Sequence, residues 1–317
     1  MTPEKKIAWL FPGQGSQEVG MGAALCEASA AARAVFDRAD TALGFSIRKL
    51  CFQGPIETLT LTENAQPAIV TTSMAVLAAL REAHPSLPEP TFALGHSLGE
   101  YSALVAAGAL ALEDAVRLVH LRGRAMQAAV PEGQGAMAAV MGGDEAAVRA
   151  LCDEAAQGET ISPANFNAPG QIVISGAAGA VARARDLAGG RGLKAIPLKV
   201  SAPFHSPLMA PAARAVETAL SSVTVSKLAF PVVANFDARP NGDETKVKEL
   251  LVRQIDAPVR WHESIGFVVD AGVTKALEIG PGKVLAGLVK RIDRRITVFG
   301  CSDPDAVASA QNFFVSS

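Results

Sequence analysis

The feature that most constrains the fold is a serine flanked by glycines, Gly95-His96-Ser97-Leu98-Gly99, which lies between a short apolar segment and an alanine-rich one. Thr91 to Leu94 predicts a buried strand, and Glu100 to Leu110 has the composition of a helix. The chain must turn sharply between them, and glycine allows backbone conformations that a Cβ would obstruct. A strand, a turn and a helix in this order are typical of a parallel sheet covered by helices.

The same turn indicates a chemical role for Ser97. In a G-x-S-x-G sequence at a strand-to-helix turn, the serine hydroxyl is exposed as a nucleophile. The next amide, that of Leu98, then lies at a helix N-terminus, where it can stabilise a negatively charged oxygen. The pentapeptide alone is also compatible with a serine that only turns the chain.

A nucleophilic serine needs a base, and the chain has five histidines. His205 is the strongest candidate because prolines on both sides restrict its loop, Ser201 to Pro207. A histidine that merely caps a proline-rich loop is the alternative. His96 is adjacent to Ser97 but is expected on the opposite side of the turn, which favours a supporting role. The other three, expected to be structural or exposed, are His84, His120 and His262.

The order of predicted elements indicates two units. Residues 131–200 predict the order strand, helix, strand, strand, helix, strand, which is the split ferredoxin-like pattern. Residues 1–130 and 201–317 predict a larger unit with a parallel sheet, interrupted by the smaller one. The predicted strands and helices of the small unit are Gly135–Met141, Asp144–Ala156, Thr160–Phe166, Gln171–Ser175, Ala177–Ala188 and Leu193–Val200; other strands are predicted at Ile7–Phe11, Phe230–Asn235 and Ala276–Ile279, and a helix at Glu113–Ala129.

Composition excludes several classes of function. A net charge of −2 and 5% aromatic residues argue against a nucleic-acid-binding protein. Four cysteines without a C-x-x-C spacing indicate neither a disulfide framework nor a zinc site. The longest apolar stretch, Ala103 to Leu112, is too short to span a membrane, and the apolar run at Ile7 to Phe11 is too short for a signal peptide. The sequence therefore predicts a soluble cytoplasmic protein.

Five motifs, in order from Phe11 to about Arg291, resemble the malonyl-CoA:acyl carrier protein transacylase family. They are Phe11–Gln17, Gly95–Ser102, Arg122-Gly123, Phe204-His205-Ser206 and Glu278–Lys283. The resemblance implies an α/β-hydrolase-like large domain with a parallel sheet and an inserted ferredoxin-like small domain. It also implies transfer of a malonyl group from malonyl-CoA to the phosphopantetheine thiol of holo acyl carrier protein, in fatty acid biosynthesis. The implied mechanism is ping-pong through a malonyl-serine.

The resemblance also implies residue roles. Ser97 is acylated and His205 is its base. The main-chain carbonyl of Gln254 orients His205, in place of the acidic residue of ordinary serine hydrolases. Arg122, which without the resemblance would be read as a surface arginine, holds the malonyl carboxylate. A buried guanidinium suits this role because it offers a planar two-point contact to a carboxylate.

Further roles follow from the same resemblance. The backbone amide of Gln14 joins that of Leu98 in the oxyanion hole; a plain glycine-rich turn is the alternative. Phe204 opposes an α-methyl substituent on the substrate, or simply packs in the core. His96 is expected beside the substrate. No metal or redox cofactor is expected, because no cluster of ligands for one is recognisable.

An acidic carrier protein would bind to local basic charge. Lys194, Lys290 and Arg291 are the predicted docking residues, with an ordinary solvated surface as the alternative. Three other activities remain open: malonyl transfer in polyketide synthesis, a serine thioesterase or hydrolase, and a non-catalytic acyl-CoA-binding module. Arg122 and the missing acidic partner of His205 favour transfer over hydrolysis.

Overall fold

A computed structural model describes residues 6–200 and 202–315. Ser201 of the predicted histidine loop, and residues 1–5 and 316–317 of the predicted large unit, lie outside the described residues. The described strands are β1 Ile7–Phe11, β2 Phe92–Gly95, β3 Gly135–Met141, β4 Ile161–Ala168, β5 Gln171–Ala177, β6 Lys194–Pro197, β7 Val232–Val233, β8 Pro240–Asn241, β9 Lys275–Ile279 and β10 Thr297–Cys301.

Helices alternate with groups of these strands along the chain. They are α1 Ala23–Ala28, α2 Ala30–Leu43, α3 Ile47–Gln53, α4 Ile56–Thr60, α5 Thr62–Ala83, α6 Gly99–Ala106, α7 Leu112–Ala128, α8 Glu145–Ala156, α9 Ala178–Ala188, α10 Ala210–Leu220, α11 Glu244–Asp256, α12 Trp261–Asp270, α13 Val284–Ile292 and α14 Pro304–Val315. Within the described ranges, no helix is both long and apolar enough to cross a bilayer.

The larger sheet has six strands in the order β10-β9-β1-β2-β7-β8, and all neighbours but β7 and β8 are parallel. Its central strand, β1, is buried along its whole length. Trp9 and Phe11 belong to one hydrophobic cluster, whereas Ala8 and Leu10 belong to another. A strand that is covered on both faces needs a continuous apolar sequence, which explains why this run does not alternate with polar residues.

The smaller sheet is antiparallel, with strand order β4-β5-β3-β6. Its chain order, β3-α8-β4-β5-α9-β6, falls within residues 135–197. Asp144 caps α8 by accepting a hydrogen bond from the amide of Ala147 at 2.8 Å. Both helices contribute to one hydrophobic cluster with the sheet. The predicted α/β fold, with a parallel sheet and a second smaller sheet, is confirmed.

Some predicted boundaries were wrong. The strand predicted to continue to Val200 ends at Pro197 on a largely exposed edge, where proline has no amide to pair. The strand predicted at Phe230–Asn235 is reduced to β7, because the amide of Asn235 donates to the Glu100 side chain. The helix predicted to reach Leu110 ends at Ala106, shortly before a turn with a left-handed glycine at Gly108.

Candidate active site

Ser97 lies on a strained turn between β2 and α6. Its φ is 53°, in the left-handed region that non-glycine residues rarely adopt. The flanking glycines are required by close packing: a Cβ on Gly95 would lie 1.9 Å from the Gly99 backbone, and one on Gly99 would lie 2.2 Å from the Phe11 oxygen. Asn235 holds the turn from a separate segment of the chain. Its Oδ1 accepts from the Ser97 amide and its Nδ2 donates to the Gly95 carbonyl, each at 2.7 Å.

A hydrogen-bond relay connects Ser97 to the interior. The Ser97 Oγ lies 2.8 Å from the His205 Nε2, and the His205 Nδ1 lies 2.8 Å from the Gln254 carbonyl oxygen. Because a carbonyl oxygen can only accept, the Nδ1 carries the proton and the Nε2 is free to accept from the serine hydroxyl. The relay thus ends on a main-chain carbonyl rather than on a carboxylate.

His205 is neutral in this environment. Burial, together with the nearby Arg122 charge, lowers the pKa of the imidazole to about 3. An imidazole that is unprotonated at physiological pH is in the correct state to act as a general base. Its φ of 56° is also strained, so the surrounding loop positions this side chain against a backbone preference.

Arg122 lies on α7 and is only 1% exposed. Its Nη2 donates to the Ser97 Oγ at 3.0 Å and to the Gln254 Oε1 at 2.7 Å, and its Nη1 donates to the Gln66 Oε1 at 2.8 Å. These acceptors are uncharged, and the Arg122 Nε finds no hydrogen-bond partner among the described residues. A buried guanidinium beside the serine, with only uncharged acceptors, is suited to an anionic ligand group.

A cavity of about 340 Å³ joins these residues to the smaller sheet. This volume is within the usual range for small-molecule sites. From the smaller sheet, Met137, Asn165, Asn167 and Val173 line it. Facing them are residues of the loops and helices around the larger sheet, which include Gln14, His96, Ser97, Arg122, Phe204 and His205.

Of the two predicted oxyanion-hole residues, Leu98 directly follows Ser97 and Gln14 lines the same cavity. Leu98 is buried at the N-cap of α6, and helix N-termini have amides without intrahelical acceptors. Gln14 lies in the loop after β1, which packs tightly on the turn: a Cβ on Gly13 would lie 2.5 Å from the His96 carbonyl oxygen. The Gln14 side chain lines the cavity and donates to the Thr62 Oγ1 at 3.4 Å.

His96 corrects one expectation. It lines the same cavity as Ser97 instead of lying on the opposite side of the turn, and its Nε2 lies 2.8 Å from the Asn167 Oδ1. It also packs at an angle on Trp261, with ring centroids 5.6 Å apart. His96 therefore links the serine turn to the smaller sheet.

Two of the other histidines bind main-chain oxygens away from the serine. The His84 Nε2 lies 2.7 Å from the Val307 oxygen, and the His120 Nδ1 lies 2.8 Å from the Glu63 oxygen. His262 is in the first turn of α12.

The predicted basic residues gather at a second groove. Lys290 and Arg291 line it with Met141, and Lys194 is the cross-strand partner of Met141 in β6. The Arg291 Nη1 donates to the Gln171 Oε1 at 2.6 Å, which joins α13 to the smaller sheet.

Three residues of the polar network were not predicted from the sequence. Glu100 is 2% exposed in the first turn of α6, and Asn235 follows β7. Gln66 lies on the buried helix α5. A signal existed only for Glu100, an acid directly after the serine pentapeptide at the start of an otherwise apolar helix.

The fold, with a Ser97–His205 relay at a cavity between its two sheets, is that of an acyltransferase. The family model described as "Acyl transferase domain" matches residues 8–309. A Bacillus subtilis relative, "Malonyl CoA-acyl carrier protein transacylase", is 50% identical over 307 residues, which is 96% of each chain. The Escherichia coli protein of the same name is 44% identical over 96% of this chain and 98% of its own. The chain belongs to the malonyl CoA-acyl carrier protein transacylase family.

Solved structures agree with this assignment. The malonyl CoA-acyl carrier protein transacylase of Coxiella burnetii superposes with a TM-score of 0.95 at 38% identity, over 98% of both chains. A second neighbour is a malonyl-transacylase in complex with a type II polyketide synthase acyl-carrier protein, with a TM-score of 0.92 at 42% identity. It covers 97% of this chain and 99% of that chain.

Proposed function

We propose that this chain transfers the malonyl group of malonyl-CoA to the phosphopantetheine thiol of holo acyl carrier protein, as a step of fatty acid biosynthesis. One observation carries the proposal: a buried guanidinium, that of Arg122, lies 3.0 Å from the hydroxyl of the relay serine. A hydrolase that acts on uncharged acyl groups would not need a buried cation at this position, whereas a malonyl group brings a carboxylate that can neutralise it.

In the first half of the reaction, the malonyl carboxylate binds Arg122. The His205 Nε2 takes the proton of the Ser97 hydroxyl while the Oγ attacks the thioester carbonyl carbon. The backbone amides of Gln14 and Leu98 stabilise the oxyanion. The C–S bond breaks, CoA leaves as a thiol with the proton from His205, and the malonyl group remains as an ester on Ser97.

In the second half, the phosphopantetheine thiol replaces CoA in the cavity. His205 accepts the thiol proton, the sulfur attacks the ester carbonyl, and the Ser97 oxygen leaves and recovers the proton. The Gln254 carbonyl keeps the proton of His205 on Nδ1 throughout. Acyl transfer involves no net oxidation, so the proposed steps use only side chains and amides of this chain.

The basic groove supports a carrier protein as the acceptor. Lys194, Lys290 and Arg291 are exposed and lie around it, which suits a negatively charged partner. We place the reaction in the cytoplasm, since the cysteines at 26, 51, 152 and 301 are all free and buried.

Polyketide synthesis is the second candidate setting for the same transfer. One structural neighbour is a malonyl-transacylase in complex with a type II polyketide synthase acyl-carrier protein. The chemistry at Ser97 would be identical, and only the carrier would differ.

The test is a two-stage labelling experiment. The protein is incubated with malonyl-CoA and analysed by mass spectrometry for an acid-stable malonyl adduct on Ser97, and holo carrier proteins of fatty acid and polyketide type are then added. We expect the adduct to form and to discharge onto a carrier, with the faster carrier indicating the pathway. Rapid loss of the adduct to water would indicate a thioesterase, and absence of the adduct a non-catalytic protein; either would overturn the proposal.

A further inference from the structure

Glu100 is a buried acid that takes no part in the proposed reaction. Its side chain is 2% exposed, and burial raises the pKa of the carboxyl to about 7. Its hydrogen bonds come from two uncharged donors, the amide of Asn235 at 2.9 Å and the Gln254 Nε2 at 3.0 Å. Burial of a carboxyl group without a salt bridge is costly, so its retention beside the serine turn calls for an explanation.

A backbone amide determines which atoms donate and which accept around Glu100. The Asn235 amide can only donate, so an acceptor must face it, and both donors share the same oxygen, Oε2. That oxygen also attracts the Gln254 side-chain NH₂, whose second acceptor is the Ser97 carbonyl at 3.1 Å. With its NH₂ directed to these two oxygens, the Gln254 amide must turn its own oxygen the other way.

The Gln254 side-chain oxygen is one of three acceptors that hold Arg122, together with the Gln66 Oε1 and the Ser97 Oγ. The Gln254 Oε1 accepts from the Arg122 Nη2 at 2.7 Å, while the main-chain oxygen of the same residue accepts from His205. If the amide rotated by half a turn, its NH₂ would face the guanidinium, and two donors would oppose each other. The orientation of the Gln254 amide therefore contributes to the position of Arg122 beside Ser97.

We propose that Glu100 is a positioning residue, which sets the orientation of the Gln254 amide and through it places Arg122 to receive the substrate carboxylate. This inference rests on the proposed function only for the identity of that carboxylate. It assigns the role to the acceptor oxygen of Glu100, so an uncharged acceptor of the same shape must serve.

The kinetic test compares three variants. Glu100→Met replaces the carboxyl by an apolar group of similar length, and Glu100→Gln keeps one oxygen for the Asn235 amide. Glu244→Met changes an acid in the first turn of α11, which also carries Gln254, and serves as the control. The measurement is the ratio of kcat/KM for malonyl-CoA to that for acetyl-CoA.

We expect Glu100→Met to lower this ratio by about ten- to a hundredfold, and Glu100→Gln to stay within about threefold of the unmodified protein. In an Arg122→Ala background, Glu100→Met should leave the ratio unchanged, because its effect passes through Arg122. Equal losses for both substrates in Glu100→Met would show a merely structural role. A loss of more than about tenfold in Glu100→Gln would show that the charge matters instead, and either result overturns the proposal.

A crystal structure of Glu100→Met without substrate separates this inference from the proposed function. We expect the 2.7 Å contact between the Arg122 Nη2 and the Gln254 Oε1 to be lost. An unchanged contact would refute the positioning role, whatever acyl group the protein transfers. If the methionine variant does not fold, Glu100→Gln provides the test, in both the kinetic ratio and the same interatomic distance.

Discussion

Replacing Arg122 by alanine tests the link between the buried guanidinium and substrate choice. In the unmodified protein a malonyl carboxylate would meet a cation that is 1% exposed and has an unpartnered Nε among the described residues. Without the cation, the carboxylate enters the cavity unpaired. Truncation of one partner of a buried charge pair costs about 2–5 kcal/mol, which corresponds to a loss of about 30- to 5,000-fold in kcat/KM for malonyl-CoA.

Acetyl-CoA should respond differently. An acetyl group leaves the Arg122 charge unpaired in the unmodified protein, so removal of the charge also removes that penalty. The substitution also releases the Ser97 Oγ from the donor at 3.0 Å and removes a charge that lowers the pKa of His205, which makes the base stronger. We therefore expect kcat/KM for acetyl-CoA to be unchanged or to rise by up to about tenfold.

The assay measures both kcat/KM values with holo carrier protein as acceptor, at one pH and ionic strength. Arg124→Ala is the matched control, because Arg124 is exposed on the same helix and its ion pair with Glu63 is long, at 3.8 Å. The substitution of Arg122 also removes the donors to Gln66 and Gln254, but that disturbance affects both substrates and cancels in their ratio. Equal losses for malonyl-CoA and acetyl-CoA would refute the carboxylate role.

Three further predictions concern pH, docking and packing. The acid limb of the pH profile of kcat/KM should lie well below the ordinary histidine pKa of about 6.5, since the pKa of His205 is lowered to about 3 and falling pH must protonate this base before activity is lost. Arg122→Ala should move the acid limb to higher pH. An acid limb near pH 6.5 in the unmodified protein would contradict the assignment of His205 as the base. The double substitution Lys290→Glu and Arg291→Glu should slow transfer to the carrier by about tenfold or more at low salt and weaken its salt dependence, without changing formation of the Ser97 adduct. The control, Arg214→Glu on α10, should have little effect. If transfer and its salt dependence are unchanged in the double variant, the two residues do not dock the carrier. Gly99→Ala should lower the free energy of unfolding by about 3 kcal/mol or more, because the added Cβ would lie 2.2 Å from the Phe11 oxygen. Gly287→Ala, in open space on α13, should instead raise the free energy of unfolding by about 0.5–1 kcal/mol. Similar denaturation midpoints for the two variants would contradict the close packing at Gly99.

Local patterns in the sequence predict β1, β2 and the serine turn well, whereas β8 and β10 were not predicted. The apolar run of β1 indicates burial, and the glycines around Ser97 indicate close backbone packing, because each residue type is needed at that position. The ends of β6 and β7 were less predictable. They depend on Pro197 at an exposed edge and on the pairing of the Asn235 amide with Glu100, and the second is a tertiary contact.

The site shows the same division. His205 stands out by its proline-rich loop, but its separation of 108 residues from Ser97 is closed only by the fold. The functions of Gln254 and Arg122 came from a family resemblance, since a glutamine or an arginine on a helix has no local signature. Gln66 gave no signal, because its contact with Arg122 connects two helices whose packing the sequence pattern does not specify.

The separation of the relay residues along the chain has a consequence for protein synthesis. Ser97 is translated before His205 and before Gln254, whose carbonyl holds the His205 Nδ1. Strand β9, which pairs with β1 at the centre of the large sheet, begins only at Lys275. A growing chain therefore contains Ser97 for 108 residues before His205 is added and for 157 residues before Gln254 is added. The hydrogen-bond relay is complete only after Gln254 has been added, so a chain that stops before this residue lacks the carbonyl that holds the His205 Nδ1.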